Sequence, residues 1–295
     1  MRARFYHESS RKLAGASRQD GRPASVCQRA PRPKPETTAS LSSSSTRYVR
    51  FYGVVSIYAT VCQLGLAEIA AALVAKTAPS AEGVALFELL SRSSMGEGLF
   101  EDACVPLRLC ARVLGFCYGH PASQRATATQ LPTPPRETWR ELVEDLSSWY
   151  SNRPHPFQPM VEQEAQGANE EHDQLFPTIL FTNGAAAFAN QLYHTAMLLL
   201  LQHKPRTLAL GPRRSAVMAP LWHAHRICGI SLHNDRAGCW DPSLVASLYV
   251  AAKGMTYEPQ HREILSALDR VAAATGWHIH RFQAMLQHAW GGDGS

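Results

Sequence analysis

The chain has 295 residues, 45% hydrophobic and 18% charged, which is enough apolar material for one large core or two small ones. Its formal charge of +5 is unevenly placed: residues 1–50 hold eleven Lys and Arg against Glu8, Asp20 and Glu36, a surplus of +8, which leaves −3 for the rest. A mildly acidic body is a poor general platform for nucleic acid, and seven irregularly spaced cysteines with no Asn-x-Ser/Thr sequon argue against a secreted disulfide scaffold.

Residues 1–47 read as a disordered basic tail. Pro31, Pro33 and Pro35 and the run Ser42 to Ser45 carry no apolar period. The tail lacks the apolar run of a secretory signal, although its Arg-rich, Ser-rich, acid-poor composition also describes an organelle transit peptide. Residues 48–292 read as one all-helical domain. A helix of many small residues is expected over 52–76, stopped by Pro79, and a second over about 82–91. Residues 99–117 offer Leu107, Leu109, Val113, Leu114 and Phe116 to a core, with Pro106 interrupting the early part.

After a Pro-rich linker over 118–137, Thr138 and Glu141 form a capping-box pattern. Trp139, Leu142, Leu146 and Trp149 then recur as one apolar helix face. Pro154 and Pro156 stop that helix and predict an extended segment over 152–159. Residues 161–174 are polar and acidic and read as a solvent loop, followed by a long helix from about Phe176 or Pro177 to Gln202. Further helices are expected over 215–233, from the Asp241 cap and Pro242 to near Gly254, from Pro259 to Thr275 with Gly276 closing it, and over 279–289. No segment reads as strand-rich. The expected fold is all-α, a multi-helical bundle or array behind a disordered basic N-terminal tail.

Two apolar stretches need a membrane test. Gly53 to Ala75 contains Gln63 and Glu68, and Gly184 to Leu201 interleaves Asn190, Gln191, His194 and Thr195. Such groups are costly in hydrocarbon, so both stretches are expected to be buried within protein, and no membrane association is predicted.

The chemistry-bearing patterns are weak. Cys104, Cys110 and Cys117 are spaced by six and seven, no Cys-x2-Cys pair exists, and three thiols do not complete a zinc tetrahedron, so they read as core residues. His223 with His225, and His278 with His280, are separated by two. On a helix such partners point to different sides and chelate poorly. There is no Gly-x-Ser-x-Gly elbow, no His-Glu-x-x-His and no Walker loop. No catalytic, cofactor-binding or metal-binding residue is predicted, no cofactor is expected, and the chain does not read as an enzyme. Trp139, Trp149 and the run Leu198 to Leu201 read as packing residues.

The second half carries a further pattern. Trp139-Arg-Glu-Leu-x3-Leu-x2-Trp149 is followed by Asn152-Arg-Pro-His-Pro-Phe-Gln-Pro159, then Phe176-Pro-x-Ile179 and Ala189-x-Gln-x-Tyr193-His-x-Ala196. After these come His225-x-Ile227-Cys-Gly-Ile230, Trp240-Asp-Pro-Ser243, Leu248-Tyr249, Thr275-Gly-Trp277 and Ala289-Trp290-Gly291, with Phe116-Cys-Tyr-Gly119 upstream. In this order, over 116–292, the landmarks resemble the fungal-specific regulatory domain of zinc binuclear cluster transcription factors. The resemblance implies an all-helical regulatory or effector module in the nucleus. It would act through protein partners of the transcription machinery or another regulator, or through a small-molecule effector. The family's DNA-binding head holds two zinc ions on six cysteines, whereas Cys27 is the only cysteine among the first 61 residues. Sequence-specific DNA binding by this chain alone is therefore not expected. A helical enzyme with an unrecognised site, and a truncated gene product without independent function, are the alternatives.

Overall fold

The computed structural model describes residues 64–85, 99–119, 135–165, 174–206, 216–235 and 240–291. The basic tail, the first part (52–63) of the helix expected over 52–76, the greater part of the Pro-rich linker and the acidic residues 166–173 lie outside that set. The described residues form nine α-helices: α1 (64–75), α2 (81–85), α3 (Leu99–Tyr118), α4 (Pro135–Asn152), α5 (Gly184–Gln202), α6 (Pro220–His233), α7 (Pro242–Ala252), α8 (Glu258–Thr275) and α9 (His280–Gly291). This is the all-α, multi-helical fold that the periodicity predicts. It carries one small addition, a two-stranded antiparallel hairpin of β1 (Val161–Gln163) and β2 (Thr178–Leu180), with Val161 opposite Leu180 and Gln163 opposite Thr178.

Helix α5 organises the body. Residues 186–187 and 189–201 are all buried, so this helix is enclosed on every side rather than along a stripe. It contributes to three apolar clusters. Leu192, Tyr193, Ala196, Met197, Leu199 and Leu200 join Ile69 and Leu73 of α1, Leu107, Cys110 and Leu114 of α3, and Trp139, Leu142 and Leu146 of α4. On another side, Leu198 meets the core of α6 to α9, built on Ile227, Leu248, Ile264, Leu268 and Leu286. Ala186, Ala187 and Ala189 meet Phe157, Ile179 and Phe181 beneath the hairpin. The expectation that 184–201 is interior helix holds, and no described helix is long and apolar enough to cross a membrane.

Most helix ends follow from local chemistry. Asp241 Oδ1 accepts from the backbone N–H groups of Ser243 (2.7 Å) and Leu244 (3.3 Å), with Pro242 in the first turn, as the sequence predicts for α7. Gly276 closes α8 at φ +72°, a left-handed conformation that costs a glycine little. Ser80 caps α2, its Oγ accepting from Gly83 N at 3.0 Å.

Several expectations are corrected. Helix α4 begins at Pro135, so Thr138 lies inside its first turn and is not the cap. Pro135 has φ preset for a first helical position and starts the helix earlier. Pro106 sits inside α3 without ending it. The segment after α4 is extended at Pro154 but coils into a 3-10 turn over His155–Phe157. Residues 161–163 pair as β1 instead of forming a solvent loop, and 178–180 form β2 instead of opening the long helix. That helix begins only at Gly184, where the Asn183 side chain accepts from Ala186 N at 2.8 Å. Helix α6 likewise starts late, at Pro220. Ala219 before it is extended, and residues 216–218 form a separate 3-10 turn.

Candidate functional site

The polar residues of α5 lie one turn apart, Asn190 with His194 and Gln191 with Thr195, and this spacing places them as two adjacent rows on one side of an otherwise apolar helix. All four are buried, as are His223, Arg226 and Ser231 of α6, so each group needs a partner within the protein. The partners are found between elements. Asn190 Nδ2 donates to Phe157 O at 2.8 Å, holding the 3-10 turn against α5. Gln191 Nε2 donates to Ser231 Oγ of α6 at 2.9 Å and to Leu244 O of α7 at 3.0 Å, joining three helices at one amide.

The centre of this polar core is a pair of imidazoles. His194 Nδ1 and His223 Nδ1 stand 2.9 Å apart. His223 Nε2 is 2.8 Å from Val217 O, which can only accept, so His223 carries its proton on Nε2 and presents a bare Nδ1. His194 must therefore donate from Nδ1, leaving its Nε2 to accept from Arg226 Nε at 3.4 Å. The chain of donors runs one way, from Arg226 through His194 and His223 to the Val217 carbonyl. Burial, then the neighbouring His223 and the cations Arg226 and Arg153, hold His194 well below the usual imidazole range. Burial pulls His223 down to about 4, although its bond to Val217 opposes the shift. Both rings are neutral at physiological pH.

Arg226 is 2% exposed and carries its charge into this core. It is answered from β1 and the residue after it: Glu162 accepts from one terminal nitrogen, and Glu164, just past the strand, from the other at 3.1 Å. The Trp222 ring lies beneath the guanidinium, 4.6 Å from centroid to carbon. Tyr193 stacks on Tyr150 at 4.2 Å, and Arg153 covers the far end of that stack, 3.7 Å from the Tyr150 ring. The hairpin is held a second time by Asn234, whose Nδ2 donates to Ile179 O (2.7 Å) and whose Oδ1 accepts from Phe181 N (2.9 Å).

A groove of about 370 Å³ opens between α3 and the C-terminal end of α4, lined by Val105, Leu109 and Trp149, the carboxylates of Asp102 and Asp145, and Arg153. Asp145 is already engaged by Arg112 at 2.7 Å. The groove is large enough for a small ligand or a side chain of a partner.

The patterns read from sequence fall into place differently. Cys104 and Cys110 are buried in α3, and Cys117 is half-buried beside Leu199 O. Burial pushes the Cys110 and Cys117 thiols up to about 12, so they pack as apolar groups rather than thiolates. His223 and His225 do point apart, as their spacing predicts: His223 reaches His194, and His225 packs edge-on to Phe176. His278 precedes α9 rather than lying within a helix, with its ring 5.8 Å from that of His280. The described residues bring no three of His, Cys, Asp and Glu into a group suited to a metal ion. The His194–His223 pair escaped the sequence reading because its members lie 29 residues apart. The i, i+4 polar rows on α5 were the available signal, and they served only to argue against a membrane span.

The class defined by these observations is an all-α protein with one small hairpin and buried polar side chains that tie its elements together. Comparison of the chain with protein-family models, with curated proteins and with solved structures returns no match.

Proposed function

We propose that this chain is a regulatory, effector-type protein of fungal transcription, located in the nucleus and acting through protein partners of the transcription machinery or through a small-molecule effector. These residues hold no six-cysteine zinc-cluster pattern, and on this reading they do not read DNA sequence by themselves. One observation supports the reading. Three of the landmarks that carry the resemblance, Trp139, Gly229 and Trp290, fasten one element to another. Trp139 donates from Nε1 to Leu200 O at 2.8 Å, joining α4 to α5. Gly229 admits the Pro177 carbonyl, since a Cβ there would lie 2.2 Å from that oxygen. Trp290 stacks on His261 at 3.8 Å and donates to Ala252 O. A resemblance concentrated in the scaffold suits a module that presents surfaces to partners, and the groove beside Trp149 offers a place for an effector.

The experiment is a tethered reporter. The full chain is fused to a foreign DNA-binding module and expressed with a reporter gene bearing that module's sites. A change in transcription against the module alone is expected. A fusion that is folded and nuclear yet leaves the reporter unchanged contradicts the proposal.

A further inference from the structure

We infer that the His194–His223 pair is a proton-operated clamp that couples the β1–β2 hairpin to helices α5 and α6 through Arg226. This goes beyond the regulatory reading and does not depend on it.

The direction of the hydrogen-bond chain carries the inference. One end is fixed by Val217 O, which accepts from His223 Nε2 at 2.8 Å, and the other by Arg226 Nε, which donates to His194 Nε2 at 3.4 Å. Neither end can exchange its role, because a carbonyl has no proton to give and a guanidinium no lone pair to offer. A solvent proton added at His223 Nδ1 therefore faces the Nδ1–H of His194 across 2.9 Å. The contact is restored only if His194 shifts its own proton from Nδ1 to Nε2. That shift sets His194 Nε2–H against Arg226 Nε–H. Protonating His194 directly at Nε2 leads to the same opposition and adds a cation beside a cation. One proton anywhere in the pair thus ends at Arg226, which must withdraw from His194. Arg226 is the residue that holds Glu162 and Glu164, so its displacement loosens β1.

The groups facing the pair agree on this. From α4 come Tyr150, 5.6 Å from the His194 ring, and the cation Arg153. From α5 comes Tyr193, and from α6 come Trp222 and Arg226. Glu162 of β1 and Glu164 just after it are linked to the pair through Arg226. Among the described residues no carboxylate contacts either ring, so none of them would neutralise an added charge there. Burial holds both rings neutral at physiological pH, which keeps the clamp closed there.

The test is nitrogen-15 spectroscopy on the full chain across pH. At neutral pH His194 is expected as the Nδ1–H tautomer and His223 as the Nε2–H tautomer, with a protected Arg226 Nε–H signal. On acidification that signal should disappear with the midpoint of the His223 titration while helical circular dichroism is retained. In H223Q the glutamine amide donates to Val217 O and accepts from His194 without titrating, so the Arg226 signal should persist through the same range. The opposite tautomers at neutral pH overturn the proposal. So does an Arg226 signal that outlasts the His223 titration, or helix loss at the same midpoint, which would mean global unfolding. Loss of the Arg226 signal in H223Q at the midpoint seen for the unsubstituted chain would place the acid response outside His223 and overturn it as well. If H223Q does not fold, the tautomers and midpoints of the unsubstituted chain decide alone.

Discussion

At the residue scale, two side-chain environments dominate. Gly229 shows how close packing overrides intrinsic preference. In an unconstrained helix Gly→Ala gains about 1 kcal/mol, but here the new methyl would meet the Pro177 carbonyl carbon and oxygen, with the oxygen at 2.2 Å. We expect Gly229→Ala to lower stability by about 3 kcal/mol through overpacking, read as a shift of the urea midpoint. Arg226 is the second case. Replacing it with Met removes a buried cation but strands the His194 acceptor. Losing one partner of a fully buried pair costs roughly 3–5 kcal/mol. Glu162 and Glu164 are 39% and 67% exposed and regain water, so about 2 kcal/mol is expected for Arg226→Met in the same measurement. The buried imidazoles also give the molecule a pH dependence. His223 binds its proton with a pKa of about 4 when folded, against about 6.5 when unfolded. The unfolded state therefore binds more protons between these values, and stability falls as pH drops from 6.5 towards 4, by about 3 kcal/mol from His223 alone. His194 adds to the same slope. Equilibrium unfolding at a series of pH values should show this, and H223Q should lose the His223 share.

At the scale of the element, the sequence is most legible where a proline, a glycine or a cap sets a boundary. Asp241 with Pro242, and Gly276, each predicted a helix end that the structure contains. Substituting Asp241 by Ala removes the acceptor for two backbone N–H groups of α7 and should cost about 1 kcal/mol, measured by thermal or chemical unfolding. The hairpin was illegible for physical reasons. Each strand has only three residues, too few to show an alternating period, and β2 runs directly into an apolar helix. What holds β2 is not its own composition but Asn234, 55 residues from Ile179, and β1 is held by Arg226, 64 residues from Glu162. The start of α5 was misplaced because the apolar run from Phe176 hid Asn183, whose capping side chain was the usable sign. The polar core was half legible: the rows on α5 could be read as one face, but the pairing of His194 with His223 exists only once α5 and α6 pack together.

At the scale of the whole molecule, α5 is buried from Ala189 to Leu201 and belongs to all three apolar clusters, so the helices on either side cannot be rearranged independently of it. The polar network runs through the same helix and ties the hairpin, α6 and α7 to it. This gives a single scaffold with a groove on one side, an arrangement suited to presenting surfaces. The proposed role in transcription is tested most directly by tethering the full chain to a foreign DNA-binding module at a reporter gene, alongside the Gly229→Ala form. A change in transcription is expected with the folded chain, lost or weakened when Gly229→Ala loosens the α6 contact with Pro177. Equal reporter output from the module alone and from a folded, nuclear fusion would contradict it.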